Sequence, residues 1–265
     1  MKKIINNPTA VVDEMLDGLA YIHSDLVYRV EGFDIIARKS EKTGKVGLIS
    51  GGGSGHEPSH AGFVGEGMLS AAICGAVFTS PTPDQVLQAI KEADEGAGVF
   101  MVIKNYSGDI MNFEMAQEMA EMEGIEVASV VVDDDIAVED SLYTQGRRGV
   151  AGTILVHKIL GNAARAGKSL TEIKALADEL VKNIHTVGLA LSGETVPEVG
   201  KPGFVLADDE IEFGIGIHGE PGYRKEKMQP SKDLAKELIE KLSQSFELKS
   251  GKKIGILING MGATP

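Results

Sequence analysis

Short apolar segments alternate with longer segments of helical period along the first half of this chain. Three of the apolar segments, at 45–50, 97–103 and 126–132, are rich in aliphatic residues. Strands of this kind are typical of a sheet that is covered on both faces. Helical segments at 83–95 and 109–123 lie between them. Because a strand–helix–strand order favours parallel pairing, we predict an α/β fold whose first sheet is mostly parallel.

The second half of the chain has a different character. Helical periodicity runs from Gly152 to His185, and Ser169–Glu172 has the pattern of a helix start. Beyond His185, glycine and β-branched residues become frequent. We therefore predict an N-terminal α/β domain at 1–185, which carries a glycine-rich loop, and a C-terminal α/β domain at 186–265.

The predicted C-terminal domain contains few elements. Strands are predicted at 210–217 and 252–259, with a charged helix at 231–245 between them. We predict a mixed sheet for this domain. The last strand runs into the glycine-rich loop Gly260–Pro265 with no element after it, so we expect the second domain to be truncated.

Charge and composition exclude several classes of function. Lys and Arg number 26 against 39 Asp and Glu, which gives a net charge of −13. Such a chain repels phosphate backbones and anionic lipids, so we expect no nucleic-acid partner and no membrane partner. The absence of Trp and the 5% aromatic content disfavour a base-stacking or sugar-stacking surface. The single cysteine, Cys74, favours a reducing, cytoplasmic compartment.

Glycine-rich or polar loops follow three of the predicted strands. They are Gly51–Pro58, Lys104–Asp109 and His218–Gly222. In open α/β sheets, ligands bind in loops beyond the carboxyl ends of the strands. Glycines let the backbone approach a small ligand, and a neighbouring histidine can transfer a proton near neutral pH. These loops are therefore the candidate functional site.

The first of these loops fits no common motif well. Its glycine spacing fails the dinucleotide pattern, because the sixth position from Gly51 is His56, and it lacks the lysine of a phosphate-binding P-loop. The run His56–His60 matches the HExxH spelling of zinc proteases, which requires both histidines on one helix. Since Pro58 is difficult to place inside a helix, we expect His56 to lie in the loop and disfavour a zinc site.

The residues alone leave structural alternatives open. His56 and His218 could be ordinary polar loop residues. Lys104 could be a solvated lysine at a strand end, and Asp109 could be a helix cap, a base or both. The acidic run Asp133–Asp135 could bind Mg²⁺, although such runs are more often solvated loops. Structural or surface roles are predicted for His23, His157 and His185, and a buried apolar role for Cys74.

Four separated motifs resemble those of the dihydroxyacetone kinase K subunit. They occur in the family's order at Gly51–Gly65, Lys104–Asp109, Gly216–Gly222 and Asn259–Gly262. The resemblance implies a dihydroxyacetone-binding subunit of a multi-component kinase, with two α/β domains and a homodimeric state. It also implies that this subunit holds no cofactor or metal. ADP or ATP with Mg²⁺ is expected on a separate L subunit, which a phosphohistidine-bearing M subunit recharges in phosphoenolpyruvate-dependent systems.

The resemblance also implies roles for five residues. His218 would attack the ketone carbon of dihydroxyacetone and hold it as a hemiaminal, which glycerol cannot form. Asp109 would take the proton from the attacking hydroxyl group, and His56 would hydrogen-bond the substrate oxygen and assist proton transfer. Gly53 and Lys104 would complete the pocket. The alternative within the same family is a ketose-sensing paralogue that acts as coactivator of a transcription regulator.

Overall fold

A computed structural model of the chain describes residues 3–39, 42–246 and 248–260. The helices in this part of the chain are α1 Val11–Ile22, α2 Pro83–Ala93, α3 Ser107–Met122, α4 Thr153–Arg165, α5 Leu170–Leu180 and α6 Ser231–Ser245. The strands are β1 Val27–Arg29, β2 Ile35–Arg38, β3 Gly47–Ser54, β4 Ala71–Val77, β5 Val99–Lys104, β6 Val127–Val132, β7 Leu189–Ala190, β8 Glu210–Phe213 and β9 Arg224–Lys227. None of these helices is both long and apolar enough to cross a membrane.

The first sheet has the strand order β1-β2-β4-β3-β5-β6. Strand β3 pairs in parallel with β4 and β5, and β5 pairs in parallel with β6, whereas β1 and β2 are antiparallel. The prediction of an α/β fold with a mostly parallel first sheet is confirmed. From β3 the chain passes to β4 on one side and then to β5 on the other. The carboxyl ends of β3 and β5 therefore form a topological switch point, which is where open α/β sheets bind ligands.

Helices cover both faces of this sheet. Phe100 and Val102 of β5 pack in one apolar cluster with residues of α1, α4 and α5. Met101 and Ile103 pack in a second cluster with residues of α2 and α3. Because successive side chains of a strand point to opposite faces, burial of both faces requires an unbroken apolar run. This is why the sequence pattern located strand β5.

Two predicted helix starts are also confirmed. Pro83 opens α2 after Thr82, which forms a capping box with Gln85. The Ser169 backbone N–H donates to Glu172 at 3.0 Å, and the Glu172 N–H donates to the Ser169 hydroxyl at 3.3 Å. These reciprocal bonds satisfy backbone donors that the first turn of a helix leaves unpaired.

The second sheet contains β7, β8 and β9, and its described pairings are all antiparallel. The prediction of a mixed second sheet is therefore wrong for these residues, and β8 is shorter than predicted. The strand predicted at 252–259 is also absent there, because the segment has no neighbouring strand among the described residues and gains no ladder hydrogen bonds. Its apolar side chains are exposed, namely Ile254, Ile256, Leu257 and Ile258. The predicted loop beyond Gly260, with Met261 and Gly262 of the fourth motif, lies outside the described residues.

The chain returns to the first sheet at the predicted domain boundary. The Thr186 N–H donates to Asp134 O at 2.7 Å, and the Ile136 N–H donates to Thr186 O at 2.9 Å. These bonds attach the beginning of the second segment to the loop that follows β6. The second sheet is thereby tied to the edge of the first sheet at which the candidate loops lie. The division at 185/186 itself stays a prediction.

Candidate functional site

The glycines of the first motif belong partly to strand β3. Gly51, Gly52 and Gly53 pair with β4, so the prediction of a loop beginning at Gly51 is wrong for them. Close packing is the reason. A Cβ on Gly51 would lie 2.5 Å from Ile73 O, and one on Gly53 would lie 2.7 Å from Phe78 Cα. Any side chain there would separate the two strands or displace the residue that follows β4.

Phe78 forms one wall of the site. Among the described residues it is the one non-glycine with a positive φ, at 54°, and backbone strain of this kind is concentrated at functional sites. Its ring centroid lies 5.0 Å from that of His56 and 5.2 Å from that of His218. Gly55 provides the space, since a Cβ there would lie 2.6 Å from Phe78 Cε1.

His56 lies in the loop after β3, as predicted. Its Nδ1 is 3.1 Å from Gly53 O and its Nε2 is 3.0 Å from Ile217 O. Burial, with the charges of Lys104 and His218, lowers the pKa of His56 to about 3, so the ring is neutral at pH 7. A neutral imidazole has one N–H and can donate to only one of these carbonyl oxygens at a time. Its other nitrogen keeps a lone pair that can accept a proton.

His218 lies in the turn between β8 and β9, with its ring centroid 4.8 Å from that of His56. Its Nδ1 is 2.9 Å from Glu220 Oε1, and its backbone N–H donates to Glu220 Oε2. Burial alone would raise the pKa of Glu220, but the hydrogen bond and charge of His218 and the charge of Arg148 hold it below its usual value. Because an ionised carboxylate only accepts, Nδ1 of His218 is the donor. In the neutral form of this ring the lone pair is therefore on Nε2.

Lys104 and Asp109 come from the neighbouring strand β5 and the first turn of α3. Each is 3% exposed. A Cβ on Gly52 would lie 3.0 Å from Lys104 Nζ and 3.4 Å from Asp109 Oδ2, so both polar ends lie against β3. Burial lowers the pKa of Lys104, although Asp109 and Glu220 oppose this effect. The alternative of a solvated lysine is therefore wrong.

Asp109 is a buried carboxyl group with an unused acceptor. Burial raises its pKa, against the charge of Lys104, a hydrogen bond from Ser80 and the charge of His218. Its Oδ1 has no hydrogen-bond partner in the described chain. The helix-cap alternative is wrong, because the N-cap position of α3 is Tyr106. The group is suited to accept a proton from a bound molecule.

The HExxH spelling does not form a zinc site. His56 and His60 share no helix. His60 is buried, and its Nδ1 is 3.0 Å from Nε2 of His157, which has no accessible surface. Burial, with the charge of Lys104, lowers the pKa of His157 to about 3. No cluster of three or more His, Cys, Asp or Glu side chains arranged for a metal occurs in the described part of the chain.

The acidic run after β6 has a structural role. The Asp134 carboxylate accepts backbone N–H bonds from Val150 and Gly152, each at 2.8 Å. Asp135 pairs with the buried Arg148 at 2.7 Å. Both carboxylates are buried, so neither the magnesium site nor the solvated loop describes them. The structural prediction for His157 holds, and Cys74 is buried as predicted, which raises its pKa to about 12.

The structure brings the five predicted site residues together. Gly53 contacts His56, and His56 contacts His218. Lys104 and Asp109 both lie against Gly52, next to Gly53. Four loops carry the residues of the site, and the fourth is the turn between β8 and β9. The other three follow β3, β4 and β5, whose carboxyl ends share one edge of the sheet. The arrangement places two imidazoles, a buried carboxyl group and a buried amine close together. Such a set can bind and activate a small carbonyl compound that also carries hydroxyl groups.

Sequence reasoning did not assign roles to four further residues at this site. Glu220 lies two positions from His218 in the same motif, so its spacing could have indicated a carboxylate partner. Tyr106 lies in the second motif, and its ring centroid is 4.8 Å from that of His218. Phe78 and Arg148 carry no local signal, because only the tertiary structure brings them to the site.

Comparisons with known proteins identify relatives of this chain. The Dak1 domain matches residues 17–265. The dihydroxyacetone-binding subunit of the PTS-dependent dihydroxyacetone kinase of Lactococcus lactis is 70% identical over 264 residues, which cover 100% of this chain and 80% of that subunit. The DhaKLM operon coactivator DhaQ of the same organism is 45% identical over 265 residues, which cover 99% of this chain and 80% of the coactivator. The crystal structure of the dihydroxyacetone kinase of C. freundii has a TM-score of 0.83 and 38% identity, and the match covers 92% of this chain and 45% of that kinase.

Proposed function

Because this chain belongs to the Dak1 family of dihydroxyacetone kinase subunits, we propose that it is the dihydroxyacetone-binding subunit of a PTS-dependent, multi-component kinase. It holds the ketose while a separate subunit supplies the nucleotide, and dihydroxyacetone phosphate is the product. One observation carries this proposal. The imidazole of His218 is held by the buried carboxylate of Glu220 and lies beside His56.

The first step is covalent capture of the ketose. Nε2 of His218 attacks the ketone carbon, forming a carbon–nitrogen bond while the carbonyl π electrons move to oxygen. The ring becomes an imidazolium, which the Glu220 carboxylate stabilises through Nδ1. The one ring proton lies on Nδ1 and leaves through Glu220, while the new alkoxide takes up one proton relayed by His56 or water, which gives a neutral hemiaminal. The role of Glu220 is that of the carboxylate in a nucleophile–base–carboxylate triad.

Covalent capture explains how a ketose is distinguished from a polyol. Glycerol matches dihydroxyacetone in size and hydroxyl groups but has no carbonyl carbon to accept His218. Hydroxyl contacts alone would discriminate weakly between the two, whereas a bond that only one can form discriminates strongly.

Asp109 acts in the phosphoryl transfer. The buried carboxylate, with Oδ1 unpartnered in the described chain, accepts the proton of the terminal hydroxyl group as that oxygen attacks the terminal phosphoryl group of the nucleotide. Lys104 and the backbone at Gly53 hold the hydroxyl groups. The covalent attachment fixes the attacking oxygen, so that a loose encounter becomes a reaction between positioned groups.

The proposed partners are two other subunits and a second copy of this chain. The nucleotide and its Mg²⁺ belong to an L subunit, which an M subunit recharges, and the chain acts as a homodimer. Light scattering tests the homodimer, and a monomer that binds the ketose fully would remove that part of the proposal.

Intact-protein mass spectrometry under native conditions tests the capture step. Dihydroxyacetone is expected to add one ketose mass per chain, and glycerol none. His218→Ala should abolish the addition, whereas His23→Ala, which changes an exposed histidine, should retain it. A retained adduct in His218→Ala would refute the proposal. With an L subunit and ATP present, formation of dihydroxyacetone phosphate tests the kinase reaction.

A second candidate function is ketose sensing, which the 45% identity to the operon coactivator supports. A sensor requires capture by His218 but no base. Asp109→Asn separates the two functions in the reconstituted kinase. We expect it to keep the adduct and lose product formation. If the wild-type chain captures the ketose and yields no product with any L subunit, the sensor function is favoured.

A further inference from the structure

Arg148 is a buried cation that joins the two parts of the chain. Its side chain has no accessible surface. Nε and Nη2 donate to Asp135 Oδ2 at 2.8 and 2.7 Å, and Nη2 also donates to Gly214 O at 2.6 Å. The guanidinium therefore links the loop after β6 to the turn after β8. Burying an unpaired guanidinium is energetically unfavourable, so a cation at this position indicates a role beyond packing.

The third guanidinium nitrogen faces the partner of His218. Arg148 Nη1 has no hydrogen-bond partner among the described residues. A Cβ on Gly216 would lie 2.7 Å from this nitrogen and even closer to Glu220 Oε2. Gly216 therefore keeps the space between cation and carboxylate free of any side chain. The charge of Arg148 also helps to hold the pKa of Glu220 low.

We propose that Arg148 is a positioning residue for His218, acting through Glu220, which it keeps ionised and oriented toward Nδ1. Arg148 itself touches neither the ketose nor the reacting atoms. The ionised Glu220 keeps the hydrogen of His218 on Nδ1 and the lone pair on Nε2. This inference rests on the proposed function, in which Nε2 of His218 is the nucleophile.

Loss of the cation has a definite sign. Without Arg148, the negative charge of the buried Glu220 loses a nearby cation. The His218–Glu220 pair therefore takes up a proton at higher pH than in the wild type. The added proton occupies the lone pair of His218 or the carboxylate of Glu220, and either event removes the activated nucleophile. The other charged or titratable groups that face this cluster are His56, Lys104, Tyr106, Asp109 and Asp135. Two of them, Asp135 and Tyr106, also lose the charge of Arg148, which opposes the rise in pKa that burial causes in each. The histidine spectra therefore report the His218–Glu220 pair directly.

The test compares Arg148→Met with the charge-retaining Arg148→Lys. The control is Arg165→Met, which removes an exposed ion pair with Glu66. In ¹⁵N-histidine spectra without ketose, we expect the apparent pKa of the His218–Glu220 pair to rise by about 1 to 2 pH units in Arg148→Met. At acidic pH, the adduct formation rate should fall about tenfold for each pH unit by which this pKa rises, and at alkaline pH the rate should recover. Arg148→Lys should stay close to the wild-type profile.

The outcomes distinguish this role from a merely structural one. A structural role would lower the rate equally at all pH values and leave the histidine titration unchanged, which would overturn the proposal. If Arg148→Met does not fold, Arg148→Lys decides. Lysine keeps the positive charge, so a histidine titration in Arg148→Lys that is displaced as far as the loss of a charge predicts would also overturn the proposal. The spectra require no ketose. A wild-type chain that forms no adduct therefore refutes the proposed function, while the titration still tests Arg148.

Discussion

Replacement of Glu220 by glutamine isolates the effect of its charge on His218. The carboxylate accepts from two donors, the His218 backbone N–H and the His218 Nδ1–H. A glutamine side chain has one oxygen and one NH₂ group, so it cannot accept at both places. The backbone N–H is a fixed donor, whereas the imidazole can change tautomer. The oxygen therefore turns to the backbone, and the NH₂ group donates to Nδ1.

This change places the histidine hydrogen on the wrong nitrogen. With Nδ1 as acceptor, Nε2 carries the hydrogen and has no lone pair for the ketone carbon. The analogous Asp→Asn change in the serine protease triad lowers kcat by about 10⁴ through the wrong tautomer. Since a ketone is a more reactive target than an amide, we expect adduct formation with Glu220→Gln to slow by roughly 10²- to 10⁴-fold, or about 3–5 kcal/mol.

The assay is the time course of the ketose adduct by intact mass, normalised to the folded fraction. Glu237→Gln serves as the control, because it also removes a carboxylate that pairs with an arginine, Arg224, but on the exposed surface. The tautomer of His218 is checked by ¹⁵N–¹H correlation spectra. Adduct formation at the wild-type rate in folded Glu220→Gln, with the hydrogen still on Nδ1, would refute the reasoning.

Further predictions concern packing, pH and metals. Gly53→Ala should destabilise the fold by about 1–3 kcal/mol, because its Cβ would overlap Phe78. Denaturant unfolding measures this loss, and Gly65→Ala is the control because a Cβ there meets open space. His157 has its pKa lowered from 6.5 to about 3, so the unfolded chain binds the proton first and stability falls with pH below 6.5. Between pH 6 and 4, His157→Gln should lower the pH dependence of the free energy of unfolding by about 1.4 kcal/mol per pH unit, whereas His23→Gln should leave it unchanged. Equal pH slopes in the wild type and His157→Gln would contradict the lowered pKa of His157. EDTA should leave adduct formation unchanged, and a loss restored by Zn²⁺ would revive the metal interpretation.

Three strands of the first sheet, β3, β5 and β6, were predictable because burial on both faces imposes an apolar run, whereas β1, β2 and β4 were not predicted. The segment 99–103, for example, is apolar throughout because helices cover both faces of the sheet. The pattern failed at the glycines of β3, where small residues are dictated by contact with Ile73 and Phe78 rather than by a turn. It failed again at 252–259, where an apolar segment has no strand beside it in the described residues.

The candidate site was predictable in its components and not in its electrostatics. The motifs identified His56, Asp109 and His218, and the family resemblance inferred from them is confirmed. Their burial and protonation depend on neighbours that are distant along the chain. Burial and the charge of Lys104, which lies on the adjacent strand, lower the pKa of His56, for example.

The sequence encodes the order of the elements, the parallel sheet and the loops that carry reactive groups, because periodicity, glycine placement and strand ends are local properties. The tertiary structure alone decided that the His218 turn of the second sheet meets the loops of the first, and that Arg148 lies behind Glu220. Contacts of this kind join residues far apart in the chain. They depend on how whole elements pack, which no short segment encodes.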